Sequence, residues 1–361
     1  MDAAPFDTLT VGLTRRLSRR RGVGLLGLLG AGALALPDEA SAKKKRPKKK
    51  PLCLNGQTVK ASGKKRKKLL KQGATPGACS PAGPCSCASN EVCHEGVCQP
   101  CTVTCSGDAI ACGSALQQRL LDGGTVYACP GRYQGQFTMG TARLIGAGNG
   151  DNPATSTILD GGGIGRTLDI TAGGLAELFA VRITGGRILS DSGGGIRLSS
   201  GELRLTNSAV VANEAGSGGG GINADGPVRL TNAIVSGNKA SYGGGLRLFG
   251  TSASFITDSL ISGNESTNGA GNGGGGLLSS VSSLTIVGTE ISGNKSYRGA
   301  GGIETFDGNI TLNSACRVVN NTLSNGAAGG IYVSGSGSVA VNGATVSGNT
   351  NPQCVGTACP S

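Results

Sequence analysis

Apolar residues in this chain alternate with polar ones in short runs, and no helical period persists through its second half. In the stretch Val228-Arg229-Leu230-Thr231, Val228 and Leu230 alternate with Arg229 and Thr231, the two-residue period of a strand buried on one face. After a kink, a second strand through Ile234-Val235-Ser236 turns Val235 inward. The same frame fits Leu203, Leu205 and Val210, then Leu284, Ile286 and Ile291, then Val339, Val341 and Val346; the copy around Ile310, Leu312 and Val318 needs a one-residue insertion. Glycine clusters punctuate the strands. Aligned on them, Ile196, Ile222, Leu246, Leu277, Ile303 and Ile331 share one position at steps of 26, 24, 31, 26 and 28 residues. Such a unit cannot bury its apolar face alone and must stack on its neighbours, which predicts an all-β parallel solenoid. Each copy ends on an asparagine, and Asn213, Asn238, Asn264, Asn294, Asn321 and Asn349 are expected to stack as an internal ladder that satisfies backbone groups in the tight turns.

The glycine-cluster-plus-aliphatic phrase and the Ser-Gly-Asn phrase (Ser236-Gly237-Asn238, Ser262-Gly263-Asn264, Ser292-Gly293-Asn294, Ser347-Gly348-Asn349) resemble bacterial right-handed parallel β-helix repeat proteins, and also the passenger repeats of chlamydial polymorphic outer-membrane proteins. Upstream, Thr125-Val126-Tyr127, Leu144-Ile145-Gly146-Ala147-Gly148 and Ile158-Leu159-Asp160-Gly161 resemble the opening coils of pectin-lyase-like β-helices. The resemblance spans about Ser114 to Asn349 and implies a β-helix with an N-terminal capping helix, expected from Ala115 to Leu121 with Ser114 as its cap. It does not imply one activity, because this fold carries lyases, hydrolases, adhesins and scaffolds.

Charge is divided unevenly. Residues 1 to 78 hold 19 Lys and Arg against 4 Asp and Glu, whereas residues 79 to 361 hold 14 against 17, so the solenoid lacks the basic surface that nucleic-acid binding requires. The basic end reads as processing and tail. Arg15, Arg16, Arg19, Arg20 and Arg21 precede an apolar run from Val23 to Leu36 and the small-residue site Ala40-Ser41-Ala42, so residues 1–42 read as an export signal. Ser18-Arg19-Arg20-Arg21 resembles a twin-arginine signal, although the usual aromatic residue two places on is missing. The apolar run is too short to span a bilayer, so no transmembrane segment is expected in the mature chain. Residues 43–52 read as a disordered lysine-rich tail suited to anionic envelope polymers.

Cysteines cluster between these regions. Residues 53–79 resemble a small cysteine-bracketed module in which Cys53 and Cys79 would pair. Residues 80–112 form a cysteine-rich segment; Cys98-Gln99-Pro100-Cys101 near His94 has the spacing of zinc ligands, but export and irregular spacings favour disulfides. Cys112 and Cys129 flank the expected helix and first strand and are placed to lock that cap. Cys354 and Cys359 bracket the tail 354–361 beyond a β-helix of residues 113–353, and Cys316 is the expected free thiol.

No constellation of residues announces catalysis. Asp160, Asp169, Asp191, Asp225, Asp258 and Asp307 are scattered along the sequence, and the one histidine, His94, lies outside the solenoid. No catalytic residue, cofactor or metal site is therefore expected. The sequence reads as an exported extracellular or cell-surface scaffold or adhesin-like binding protein, with possible ligands among anionic cell-envelope polymers and glycans. The alternative is a polysaccharide lyase or glycoside hydrolase on the same fold.

Overall fold

In the computed structural model, the described residues are 50–54, 57–61 and 75–76 (backbone only), then 85, 87–171, 173–267 and 273–356. The export-signal reading (1–42), Cys79 and Cys359 fall outside them. Lys50–Leu54 pairs antiparallel with both Gln57–Ala61 and Thr75–Pro76, so the last residues assigned to the disordered tail instead enter a strand. Backbone pairing across this small sheet overrides the like-charge run that precedes it.

From Gly124 onward the chain winds through four parallel faces. One coil shows the order: Glu202–Thr206 on face A, Ala209–Val211 on face B, Glu214–Ala215 on face C and Ile222–Ala224 on face D. Among the described residues, faces A, B and D each hold nine strands and face C six. Ladder pairing puts Ile196 opposite Ile222, then Leu246, Leu277, Ile303 and Ile331, so the glycine-aligned positions form one inward column on face D. Face A contributes a second column through Leu178, Leu205, Leu230, Ile256, Ile286 and Leu312, all essentially inaccessible to solvent. Face B adds a third through Ile183, Val210, Val235, Ile261, Ile291 and Val318. No helix among the described residues is long and apolar enough to cross a membrane.

Two corners turn the chain, each by one residue of positive φ. At the A–B corner these are Asn207, Asn232, Asp258 and Gly288, with φ of 50°, 49°, 49° and 60°; Asn and Asp tolerate this region better than other side chains. At the B–C corner Gly237, Gly263 and Gly293 do the same within the Ser-Gly-Asn phrase. The asparagine that follows points inward. Asn238 donates its amide to Asn264 Oδ1 at 3.0 Å, Asn264 to Asn294 and Asn294 to Asn321 at 2.9 Å each, and each of these oxygens also accepts the backbone N–H of the preceding ladder asparagine at 3.0 Å. Asn213 heads the stack, and Asn321 passes it to Asn349. Gln353 closes it: its Oε1 accepts from Asn349 N at 3.1 Å and Asn349 Nδ2 at 2.9 Å, so a glutamine supplies the carbonyl of the missing next asparagine.

A second ladder, of hydroxyls, runs inside the A–B corner. Ser259 Oγ accepts from Ala233 N, Thr289 Oγ1 accepts from Ser259 N, and each hydroxyl donates to the carbonyl two residues back. Cys316, buried and not disulfide-bonded, occupies this position one coil further and directs its thiol at Ile286 O, 3.2 Å away.

Helix α1, Ala109–Asp122, covers the first coil with Leu116 and Leu120 buried. It begins six residues before the expected Ala115, because Asp108 rather than Ser114 caps it, accepting from Ile110 N at 3.0 Å and Ala111 N at 2.8 Å. The cap is also stapled differently from expectation. Cys105 pairs with Cys112 and Cys101 with Cys129, so each bond ties the linker before α1, one to the helix and one to the first coil, and the two do not join each other. Cys85–Cys93 and Cys87–Cys98 staple the hairpin; this separates Cys98 from Cys101 and takes both out of a zinc pair. Cys354 is also disulfide-bonded.

Candidate functional site

Outward positions on face D alternate with the core column, so ladder pairing stacks Asp169, Arg197, Asn223 and Arg247 in successive coils. The turn into Leu168–Ile170 adds Arg166, and the turn between faces C and D adds Asp191. Arg197 forks onto Asp169, with Nε at 3.0 Å from Oδ1 and Nη2 at 2.6 Å from Oδ2, while its Nη1 reaches Asp191 at 2.8 Å. Arg166 closes the square, 3.1 Å from Asp169 and 2.6 Å from Asp191. Its remaining donors go to the carbonyls of Gly193 and Ser192. Two aspartates that look scattered along the sequence are thus brought together through two shared arginines. They lie 22 residues apart, close to one coil, and only the stacking joins them.

This cluster is saturated. Burial pushes the Asp191 carboxyl up, but the Ser192 N–H and the guanidiniums of Arg166 and Arg197 outweigh it and hold the group below the ordinary carboxylate range. The hydrogen bonds Arg197 donates to Asp169, then the charges of Asp169 and Asp191, hold it all the more firmly protonated against its burial. A general acid needs a raised carboxyl and a base needs an open one, and neither condition holds here.

Arg247 stands in a different state. Its guanidinium lies 3.8 Å from the Phe249 ring centroid and donates Nη1 to Asn223 Oδ1 at 2.9 Å. Among the described residues no carboxylate comes within ion-pair distance of it; Asp225 and Tyr242 act on it only from further away, and burial lowers its pKa. Its side-chain stem lies over Gly218, where any Cβ would collide with it. The result is a held cation with donors to spare.

Further along the same column Glu304 is fully buried. Its Oε2 accepts from Gly273 N at 2.6 Å and its Oε1 has no partner; burial raises its pKa despite bonds from Gly273, Ser334 and Ala300. The other expected aspartates are spread over different corners. Asp160 pairs with Arg132, Asp307 accepts from Ser336, and Asp258 sits in the A–B turn, where burial raises its pKa.

His94 departs most from the sequence reading. Though outside the solenoid in sequence, it lies at the tip of a disulfide-held hairpin, Glu91–His94 with Val97–Pro100, and packs edge-on against Phe179 of face A with ring centroids 5.0 Å apart. No local signal in the sequence could have placed it there.

A stack of parallel coils with ladders at its corners defines a β-solenoid of the β-helix type. Residues 174–351 match the family model described as Right handed beta helix region, in agreement with the parallel β-solenoid fold. No curated protein and no solved structure matches the chain.

Proposed function

We propose that the protein is an exported, non-catalytic β-helix scaffold that binds extended anionic cell-envelope polymers or glycans along face D. The observation that carries this reading is the contrast on that face. Asp169 and Asp191 are each shared by two guanidiniums, whereas Arg247, fixed by Phe249 and Asn223, keeps free donors and no carboxylate partner. Such a face offers a positioned cation to an oxyanion, while the Asp169–Asp191 pair is held by its arginines and the raised carboxyl of Glu304 is buried away from solvent. Disulfides that persist only in an oxidising compartment support export.

The enzymatic alternative would require Asp169 or Asp191 to shed its arginines, or the buried Glu304 to become exposed, on substrate binding. The test is twofold. Purified protein should release no reducing ends or unsaturated products from acidic or neutral polysaccharides, and should bind whole cells or an anionic envelope polymer in a manner weakened by salt and by Arg247→Ala. Product release that is abolished by Asp169→Asn or Asp191→Asn would replace this reading with the enzymatic one.

A further inference from the structure

Charges alternate in sign along the outer side of face C. Its six strands begin, in order along the solenoid, with Arg187, Glu214, Lys239, Glu265, Lys295 and Thr322, and ladder pairing sets each beside the next. The residues that follow four of them, Ala215, Ala240, Ser266 and Ser296, are buried, so the charged side chains point outward. Coils rise about 4.8 Å apart, which makes the column about 24 Å long.

Stacking within one chain uses only part of this charge. Arg187 meets Glu214 at 2.9 Å, and Lys295 meets Glu265 at 3.7 Å. Lys239 stands between Glu214 and Glu265 in the ladder, yet it is exposed and among the described residues forms an ion pair with neither. Two apolar side chains are exposed beside the column: Leu189 follows the first strand and Tyr297 the fifth, 56% and 44% accessible.

An alternating column of this kind is its own complement when reversed. A second copy, turned end for end about a two-fold axis that crosses the strip between Lys239 and Glu265, sets the partner's Glu265 against Lys239 and the partner's Lys295 against Glu214. Symmetry repeats both pairs, giving four opposite-charge contacts, with Arg187 against the uncharged Thr322. This is also the register in which all six strands of each copy overlap. Sliding one copy by a single coil sets lysine against lysine and glutamate against glutamate. The pattern therefore selects the register as well as the partner.

We propose that face C is a self-association surface, on which two copies of this chain pair antiparallel through Lys239–Glu265 and Glu214–Lys295. A strip one or two side chains wide covers less than the ~800 Å² per partner of a standard interface, so the dimer is weak and held by charge. It uses a different face from Arg247 and does not depend on face D binding anything.

The experiment is sedimentation velocity on the full disulfide-bonded chain, up to ~1 mM protein, at ~20 mM and ~300 mM salt. A reversible monomer–dimer equilibrium should appear at the lower salt and weaken at least fivefold at the higher. Lys239→Glu and Glu265→Lys, each alone, place like charges across the axis twice and should weaken dimerisation at least tenfold. A one-to-one mixture of the two variants restores opposite charges at both contacts, so it should recover the dimer to within threefold of the parent chain. Lys239 is exposed and Glu265 half-exposed, so melting temperatures should stay unchanged, which keeps folding out of the result. A chain that stays monomeric at low salt, a dimer indifferent to either variant, or a mixture that associates no better than its components would each overturn the proposal.

Discussion

The α-carbon of Gly245 faces the side-chain amide of Asn264: a Cβ built on Gly245 would lie 2.9 Å from both Cγ and Nδ2 of that asparagine. The same relation holds between Gly221 and Asn238 and between Gly276 and Asn294. The two phrases that recur in the sequence are therefore halves of one packing unit. The last glycine of each cluster is small because the asparagine ladder fills the space a side chain would need. Gly245→Ala should displace the Asn264 amide, and Asn264→Ala should orphan the N–H and amide of Asn238, at ~1–3 kcal/mol per buried donor. Chemical denaturation reads both; equal stability of either variant with the parent chain would contradict the ladder's role.

Gln353 ends the ladder, so its loss should be felt locally. Gln353→Leu removes the acceptor for Asn349 N and Nδ2 and the donor to Asn349 O. Hydrogen exchange should speed up in the last coil, around Thr345–Ser347, and stay unchanged near Asn238.

Cys316 should behave as a sequestered member of the hydroxyl ladder. Burial, as the largest influence, raises its thiol pKa, so alkylation in the native state should be slow and should accelerate only with unfolding. Because serine and threonine hold the same place in neighbouring coils, Cys316→Ser should change the melting temperature little. Cys316→Leu should lower it through overpacking.

Acid stability carries a signed contribution from the face charges. Asp191 and Glu202 have folded pKa values below their unfolded ones, since bonds from Ser192, Arg166 and Arg197, or from Arg204 and Arg229, outweigh the upward push of burial. Their contribution is present in full above the unfolded value, near pH 4, and is lost as pH falls through the lower folded value. Glu304 has the opposite sign: burial raises its pKa, so its contribution is full below the unfolded value and is lost as pH rises through the folded one. Replacing Asp191 by Asn should flatten the acid limb of stability against pH, and Glu304→Gln should flatten the loss on the neutral side. Unaltered pH profiles in both variants would refute these assignments.

Reduction should separate the two parts of the molecule. The hairpin and linker around Cys85 to Cys112 have little core and four stapling bonds, whereas the coils share a continuous apolar interior. Mild thiol treatment should release the His94 hairpin, visible in proteolysis, while the far-ultraviolet β signal of the coils persists.

What could be read from the sequence was whatever repeats. The period-two strands, the column from Ile196 to Ile331 and the asparagines at each turn depend on local spacing, and stacking then reproduces one coil's geometry in the next. The α1 boundary was missed because both Asp108 and Ser114 are competent caps, and only docking against the first coil selects the earlier one. The pairing of Cys101 with Cys129 was illegible for a related reason: spacing limits which cysteines can meet but does not select among them.

The sequence by itself determined the solenoid, its core columns and its inner ladder, because a side chain's inward or outward aim follows from its place in the repeat. The tertiary structure alone decided the chemistry of the surface. Whether Asp169 meets Asp191 through shared arginines, whether Arg247 is left without a carboxylate, and whether His94 packs against Phe179 of face A depend on residues about one coil or more apart. Turn lengths set those meetings through the lateral offset between coils, and the repeat does not encode that offset.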